Sequence, residues 1–465
     1  MRLDKGLYRL VYEFYEARII YGFYVYGDRL PSIQKISAIF QMAPATVRSA
    51  LSKLEKNGYI SVEQRKAASV IYKCEPGQFR KNAAEYFVCR RDGIIDLIKS
   101  GKVLFEPLWE EGLRRWEDKD WEILTDSIVK NVSGTVSMSV KFYILAIGAL
   151  NNRLALNLYW EMIRYIQFPY LGDIDEYKTV FPEFNACRHE EVLRFINSEF
   201  EASFGRAIDK LLPFIGQAEE DYGLKGAEQI PFIWNIYRQR PQMRYTLVSR
   251  LIHEIVIGKY NTGSFLPSLP QLAEKYDVSV NTVRRTLDIM EGLGIIKTCH
   301  GKGSFVCEMN GNIDFSKAEI REGLRLYRES LQILTITVDK VILSTLKCAG
   351  TEQIETLRKR LNEIVEKKHS YICFEVMFDF IDKNCGMQLV RECYEKLREL
   401  LTWGYPFVLI RLKNGSLNLL YSEIIAKMEH MLQNGCQEGF AYEWRKLMLK
   451  ETQRLSEMFN STKLV

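Results

Sequence analysis

Residues 41–60 read QMAPATVRSALSKLEKNGYI, and residues 277–296 read DVSVNTVRRTLDIMEGLGII. Sliding the chain by 236 positions aligns residues 30–60 with 266–296 without a gap, and 10 of the 31 positions are identical. Unrelated sequences would share roughly two, so the chain carries an internal duplication. Whatever fold one copy adopts, the other is expected to adopt as well.

The shared positions specify local structure. Leu30-Pro31-Ser32 and Leu266-Pro267-Ser268 each place a Ser where its hydroxyl caps a short helix by accepting from an otherwise unpaired N–H. Ile33, Ile36 and Phe40, matched by Leu269, Leu272 and Tyr276, then fall at i, i+3 and i+7 on one helical face. After a turn of three or four residues, Val47, Leu51 and Leu54, matched by Val283, Leu287 and Met290, form the stripe of a second helix. That stripe faces the first helix. It leaves Thr46, Arg48 and Ser49, and in the second copy Asn281, Thr282, Arg284 and Arg285, near the helix N-terminus and more exposed, which is helix-turn-helix geometry. Gly58 and Gly294 sit where a helix exit needs the left-handed conformation. Beyond them YISVEQRKAASVIYK and IIKTCHGKGSFVCE read as two short strands around a basic turn, a wing. Upstream, LYRLVYEFYEARIIYG and YTLVSRLIHEIVIG are amphipathic helices closed by Gly22 and Gly258. Each copy is therefore expected to be a winged helix of about 70 residues.

Composition limits what surrounds these units. A chain of 465 residues, 47% hydrophobic and 26% charged, has room for two to four domains with their own cores. No apolar run reaches the ~18 residues of a membrane span, and the N-terminus lacks a signal-peptide apolar region, so a cytoplasmic protein with no membrane partner is expected. The ten cysteines form no CxxC pair, which points to reduced structural thiols, and five histidines do not suggest a metalloenzyme. The net charge of +5 is uneven: residues 1–80 hold 13 Lys/Arg against 7 Asp/Glu, residues 243–308 hold 8 against 6, and the remainder is slightly acidic. The basic excess thus sits in the repeated segments, where nucleic acid would bind.

With GDRLPS, TVR and LEKNG in the first copy, and GSFLPS, TVRR, MEGLG and GKG in the second, the chain resembles the GntR family of bacterial transcription regulators. It departs from the family pattern where Gln34 and Pro270 replace one arginine, Pro44 and Val280 another, and Arg65-Lys66-Ala67 the Gly-x-Gly of the first wing. The resemblance implies double-stranded DNA as partner. Candidate contacts are Ser32, Thr46, Arg48, Ser49, Arg65 and Lys66 in the first copy. In the second they are Ser268, Asn281, Thr282, Arg284, Arg285, His300 and Lys302. An Arg can donate twice to guanine and Asn281 is suited to adenine, while the wing cations suit phosphates or the minor groove. The second copy keeps its Gly-x-Gly wing and adds Arg285, so it is expected to be the stronger reader.

Each winged unit leads into roughly 150 residues of helical periodicity, as in QIETLRKRLNEIVEK and SEIIAKMEHML. The expected fold is mainly α: two winged helix-turn-helix domains, each with a small β wing, alternating with two all-α helical bundle domains. The expected boundaries are 1–75, 80–222, a linker at 223–242, 243–308 and 315–462. The resemblance extends to the family's FadR-type helical domain, whose frame matches FYILAIGALNN from Phe142 and FEVMFDFIDKN from Phe374. Such domains often bind a metal through Asp and three His. Carried across, the Asp falls on Ser139 and Tyr371 and the first His on Tyr143 and Glu375, with His189 the one plausible remaining ligand, so no metal and no cofactor is expected. Tyr143, Tyr159, His189 and Glu375 are the candidates for an organic-effector pocket, against the alternative that such aromatics are core.

The sequence reading is thus a sequence-specific DNA-binding transcription regulator, not an enzyme. Its two fused halves act as a pseudo-dimer on an operator with unlike half-sites, whether the chain is monomeric or a homodimer. The alternative is a degenerate winged-helix interaction or scaffold protein in which one copy binds DNA weakly or not at all. A fusion to an aminotransferase-like enzyme is disfavoured, because the second half restarts the winged helix and stays helical.

Overall fold

The computed structural model describes residues 7–40, 42–63, 66–122, 138–166, 189–236, 242–256, 258–308, 313–413 and 416–461. The chain divides into two compact units. The first comprises Met1–Ile98, Trp109–Asn151 and Leu156–Ile233, and the second Lys99–Leu108, Asn152–Ala155 and Trp234–Val465.

The first unit contains helices Leu7–Ile20, Ile33–Phe40 and Pro44–Lys56, then strands Ile60–Ser61 and Ser69–Val70. The second contains Gln242–Val256, Leu269–Tyr276 and Val280–Gly292, then strands Ile296–Cys299 and Gly303–Val306. The 236-residue offset holds for both helices of the helix-turn-helix and on through the wings. Ile60 pairs with Val70 and Ile296 with Val306, and the bridge Arg29–Ser69 is repeated as Phe265–Phe305. Both expected capping serines act: Ser32 Oγ accepts from Lys35 N at 3.2 Å, while Ser268 N and Oγ both donate to Gln271 Oε1 at 2.9 and 2.8 Å. Gly58 and Gly294 leave the recognition helices at φ 78 and 72, a conformation that a Cβ would strain. The mainly α architecture with two small wings is the one the sequence predicts.

A common set of hydrogen bonds fixes each wing. Gly27 and Leu30 donate to Val70 O and Ala68 O, and Gly263 and Leu266 to Val306 O and Ser304 O. The Leu-Pro-Ser turn is thereby stitched to the returning strand. The Glu of the helix exit has a structural task too: Glu55 Oε1 accepts from Val62 N at 2.8 Å, and Glu291 Oε1 from Thr298 N at 3.0 Å. A charge-assisted acceptor satisfies the first wing N–H past each helix.

Inside the winged helices the copies diverge. In the second, Glu254 accepts from Lys275 at 2.7 and 2.8 Å, Lys259 at 2.9 Å and Tyr276 at 2.8 Å. Burial alone would raise its pKa, but these donors outweigh that and hold the carboxyl down at about 2. The equivalent of Glu254 is Arg18, a buried guanidinium 4.4 Å above the Phe14 ring.

The helical parts follow distinct courses. The first unit carries Pro76–Val88, Met138–Gly148 and His189–Asp221 and most of Arg91–Leu113 and Arg153–Ile166, whose segments Lys99–Leu108 and Arg153–Ala155 are assigned to the second. In the second unit Ala318–Cys348 packs along Gln437–Ser461, around buried Trp403, Trp444 and Tyr394. A Cβ on Gly323 would lie 2.2 Å from the Trp403 ring, so glycine is required for that close approach. The second unit also encloses Glu329, whose carboxylate accepts from Leu154 N at 2.9 Å and Arg325 Nη1 at 2.5 Å, while Asn152 Nδ2 donates to its carbonyl at 2.9 Å. A buried carboxylate persists only when it is so satisfied. The frame that sets Phe142 opposite Phe374 needs an offset of 232. The helices instead match at 235, Arg153–Ile166 against Gln388–Leu401. The difference is about one helical turn, which an apolar stripe cannot distinguish.

Two outcomes follow. Glu254 has its pKa lowered in the folded state, so its stabilisation is present above the ordinary carboxylate pKa near 4.5 and is lost as pH falls toward about 2. Urea unfolding of Glu254→Gln against wild type should therefore differ by roughly 1–2 kcal/mol at neutral pH, after discounting for solvent screening, and converge at the acid limit. Glu291→Ala should cost about 1–2 kcal/mol of local stability and speed amide exchange at Thr298, with Glu291→Gln milder because it keeps an acceptor.

Candidate nucleic-acid interface

The second recognition helix, Val280–Gly292, is N-capped by Ser279, whose Oγ accepts from Thr282 N at 3.1 Å and lies 2.9 Å from Thr282 Oγ1. Its first turn is thereby capped, and the positive end of the helix dipole lies there, where a phosphate is favoured. Asn281, Arg284 and Arg285 are exposed on the same stretch. Val283, Leu287 and Met290 are buried beneath them. Among the described residues no carboxylate pairs with Arg284 or Arg285. Such arginines keep all their donors for a ligand.

The wing adds to this face. Gly301 and Gly303, at φ 73 and 99, turn the strands around exposed His300 and Lys302. Lys297 and Thr298 are exposed on the strand that leads there. Three contributors were not singled out from sequence. Ser279 is a capping residue recognisable from its place before the apolar stripe, Val280 is an exposed apolar side chain at the helix start, and Lys297 belongs to the outward alternation of the strand.

The first copy offers less. Arg48 and Ser49 are exposed, Ser49 Oγ donating back to Ala45 O at 3.1 Å, and Ser32 is exposed at its cap. Thr46, expected on the exposed side, is buried at 2% exposure. The helix begins at Pro44 after Ala43, which has no capping side chain, and the threonine turns inward under the first turn. Thr282, its counterpart, is half-buried and held by Ser279. Lys66 is exposed but paired with Glu63 at 2.6 Å. Arg65 lies outside the described residues.

The four effector candidates fall in different parts of the chain. Tyr143 and Tyr159 lie in the first unit with ring centroids 6.3 Å apart, and both are buried. Trp109 sits 3.9 Å from the Tyr143 ring and Phe142 5.1 Å from it, so aromatic rings pack against it. Burial raises the Tyr159 hydroxyl pKa far above its ordinary value. Glu375 belongs to the second unit, where Arg398 Nε donates to it at 2.8 Å and His253 lies 4.0 Å away. His189 opens the helix His189–Asp221, and its side chain lies outside the described residues. Among the described residues no group of three or more His, Cys, Asp or Glu is placed to hold a metal ion, and no helix is long and apolar enough to cross a membrane.

Comparison with known proteins points to one family. The model of the bacterial regulatory proteins of the gntR family matches twice, at residues 7–70 and 245–306. An uncharacterized HTH-type transcriptional regulator of Bacillus subtilis, YhcF, is 27% identical over 109 residues, covering 23% of this chain and 90% of its own length. Among solved structures, the Streptococcus agalactiae GntR is 15% identical over 46% of this chain and 99% of its own, with a TM-score of 0.22. E. coli McbR/YncC is 17% identical over 47% and 99%, with a TM-score of 0.27. Superpositions that loose carry no argument, and the family rests on the two matched segments and their shared internal bonds. The chain thus carries two segments, residues 7–70 and 245–306, that match the winged helix of the gntR family of bacterial regulatory proteins.

Proposed function

We propose that the protein is a sequence-specific DNA-binding transcription regulator whose two winged helices act from one polypeptide as a pseudo-dimer. The observation that carries this reading is the pair of exposed arginines, Arg284 and Arg285, with which no carboxylate among the described residues pairs, at the capped N-terminus of the second recognition helix beside a basic wing. That combination matches what a major groove offers: base-edge acceptors for a guanidinium, and phosphates for the helix end and the wing.

The two readers are unlike. The second exposes Asn281, Arg284 and Arg285, whereas the first exposes Ala45, Arg48 and Ser49 with Thr46 turned inward. Unlike readers favour unlike half-sites, and the first contributes the weaker contact. The alternative in which one copy reads DNA poorly draws support from that same first copy, through the Lys66–Glu63 pair and the missing cap. An organic effector remains a proposal of its own.

Binding selection from a random duplex library should return an asymmetric site, and a perfect palindrome would contradict the unlike half-sites. Light scattering of the complex should give one chain of 54.3 kDa per site. Arg284→Ala should cost roughly 1–3 kcal/mol and relax preference at one base pair. Lys302→Ala should weaken all sequences alike and lower the salt slope by about one ion. If neither substitution alters affinity, the second winged helix is not the reader.

A further inference from the structure

The two winged helices share one backbone plan, so their interiors can be compared position by position at the 236-residue offset. In the first, among the described residues, Tyr15 Oη, Arg18 Nε, Ser37 Oγ and Thr46 Oγ1 are buried without a hydrogen-bond partner. The second copy removes or satisfies every one of these. Leu251 stands for Tyr15 and Ala273 for Ser37. Glu254 stands for Arg18 and is held by Lys259, Lys275 and Tyr276. Thr282 matches Thr46, and its hydroxyl pairs with Ser279, a residue the first copy replaces with Ala43. The second copy has two such orphans of its own, Arg244 Nε and Ser249 Oγ, at other positions.

A buried donor or acceptor without a partner costs far more than an exposed one, and a missing helix cap adds to that. The first winged helix is therefore the less stable of the two on internal grounds. Helices of its own unit brace it, as Trp403 braces Tyr245 and Lys317 pairs with Asp288 in the second copy, and with more internal orphans the first depends on that bracing more. Phe40 stacks on Trp160 with ring centroids 5.1 Å apart at 20°, Arg164 Nη1 bonds Glu13 Oε2 at 2.7 Å, and Asn82 Nδ2 donates to Ile20 O at 3.1 Å. Trp160 and Arg164 sit on one helix, Arg153–Ile166.

We propose that the first winged helix is a conditional reader, folded tightly only while the Arg153–Ile166 helix supports it, whereas the second is a constitutive one. This rests on the DNA-binding reading for its consequence but not for its test. A shift of the supporting helix would loosen the first reader and leave the second intact. The operator would then be held at one half-site.

Hydrogen exchange followed by mass spectrometry on the full chain without DNA decides the matter. Residues 7–56 should exchange faster than 243–292 in the wild type. Ala43→Ser and Ser37→Ala, which install the second copy's residues, and Tyr15→Phe, which removes only a hydroxyl, should each slow exchange in the first winged helix about tenfold. Glu13→Gln and Trp160→Leu should speed it there and leave 243–292 unchanged. Glu13→Gln keeps the test open should Trp160→Leu fail to fold. Equal protection of the two copies, no slowing in the repaired variants, or equal acceleration of both copies would each overturn the proposal. DNA binding can fail independently, because none of these readouts requires it.

Discussion

The bonds between the Leu-Pro-Ser turn and the returning strand of the wing are what the rest of each winged helix depends on. Leu30 and Leu266 donate to the residue two before the strand's end, at Ala68 and Ser304. That single register sets where the capping Ser falls, hence where the short helix starts and how the recognition helix crosses it. From the other side, Glu55 and Glu291 tie the helix exit to the first wing strand. Buried backbone groups must find partners, and here they find them in the same places twice. A duplication can drift far in side chains while these bonds hold the frame.

Within that frame the two copies solve the same interior differently. The second places an acid among lysines and a tyrosine, while the first places an arginine among aromatic rings. Both bury charge near the end of the leading helix, but only the second pairs it with an opposite charge. The contrast extends to the recognition helices, one capped by Ser279 and one opened by Pro44. Proline is tolerated at that first position because no intrahelical bond is lost. Ala43 before it, however, supplies no side-chain acceptor where Ser279 does in the second copy. The weaker DNA reading proposed for the first copy and its poorer internal satisfaction therefore fall on the same copy.

The helical parts were legible as helices and little more. Periodicity located apolar stripes, but a one-turn shift leaves a stripe in place, which is why the frame around Phe142 and Phe374 differs from the helix ends. Aromatic residues such as Tyr143 and Tyr159 announce a core or a pocket equally well in sequence. Only neighbours decide, and Trp109 and Phe142 pack against the Tyr143 ring. Glu375 likewise reads as a free carboxylate until Arg398 is found against it from another helix.

By itself the sequence determined the repeat, the helix-turn-helix, the caps at Ser32 and Ser268, the glycine exits and the wings, because each is written in contacts a few residues apart. The tertiary structure decided which side chains face out. Thr46 and Thr282 are the same residue in the same motif, yet one is buried and the other is drawn to Ser279. The residue three before, Ser279 or Ala43, sets part of that choice locally, but the burial of Thr46 depends on neighbours brought together by folding, and that information is not local.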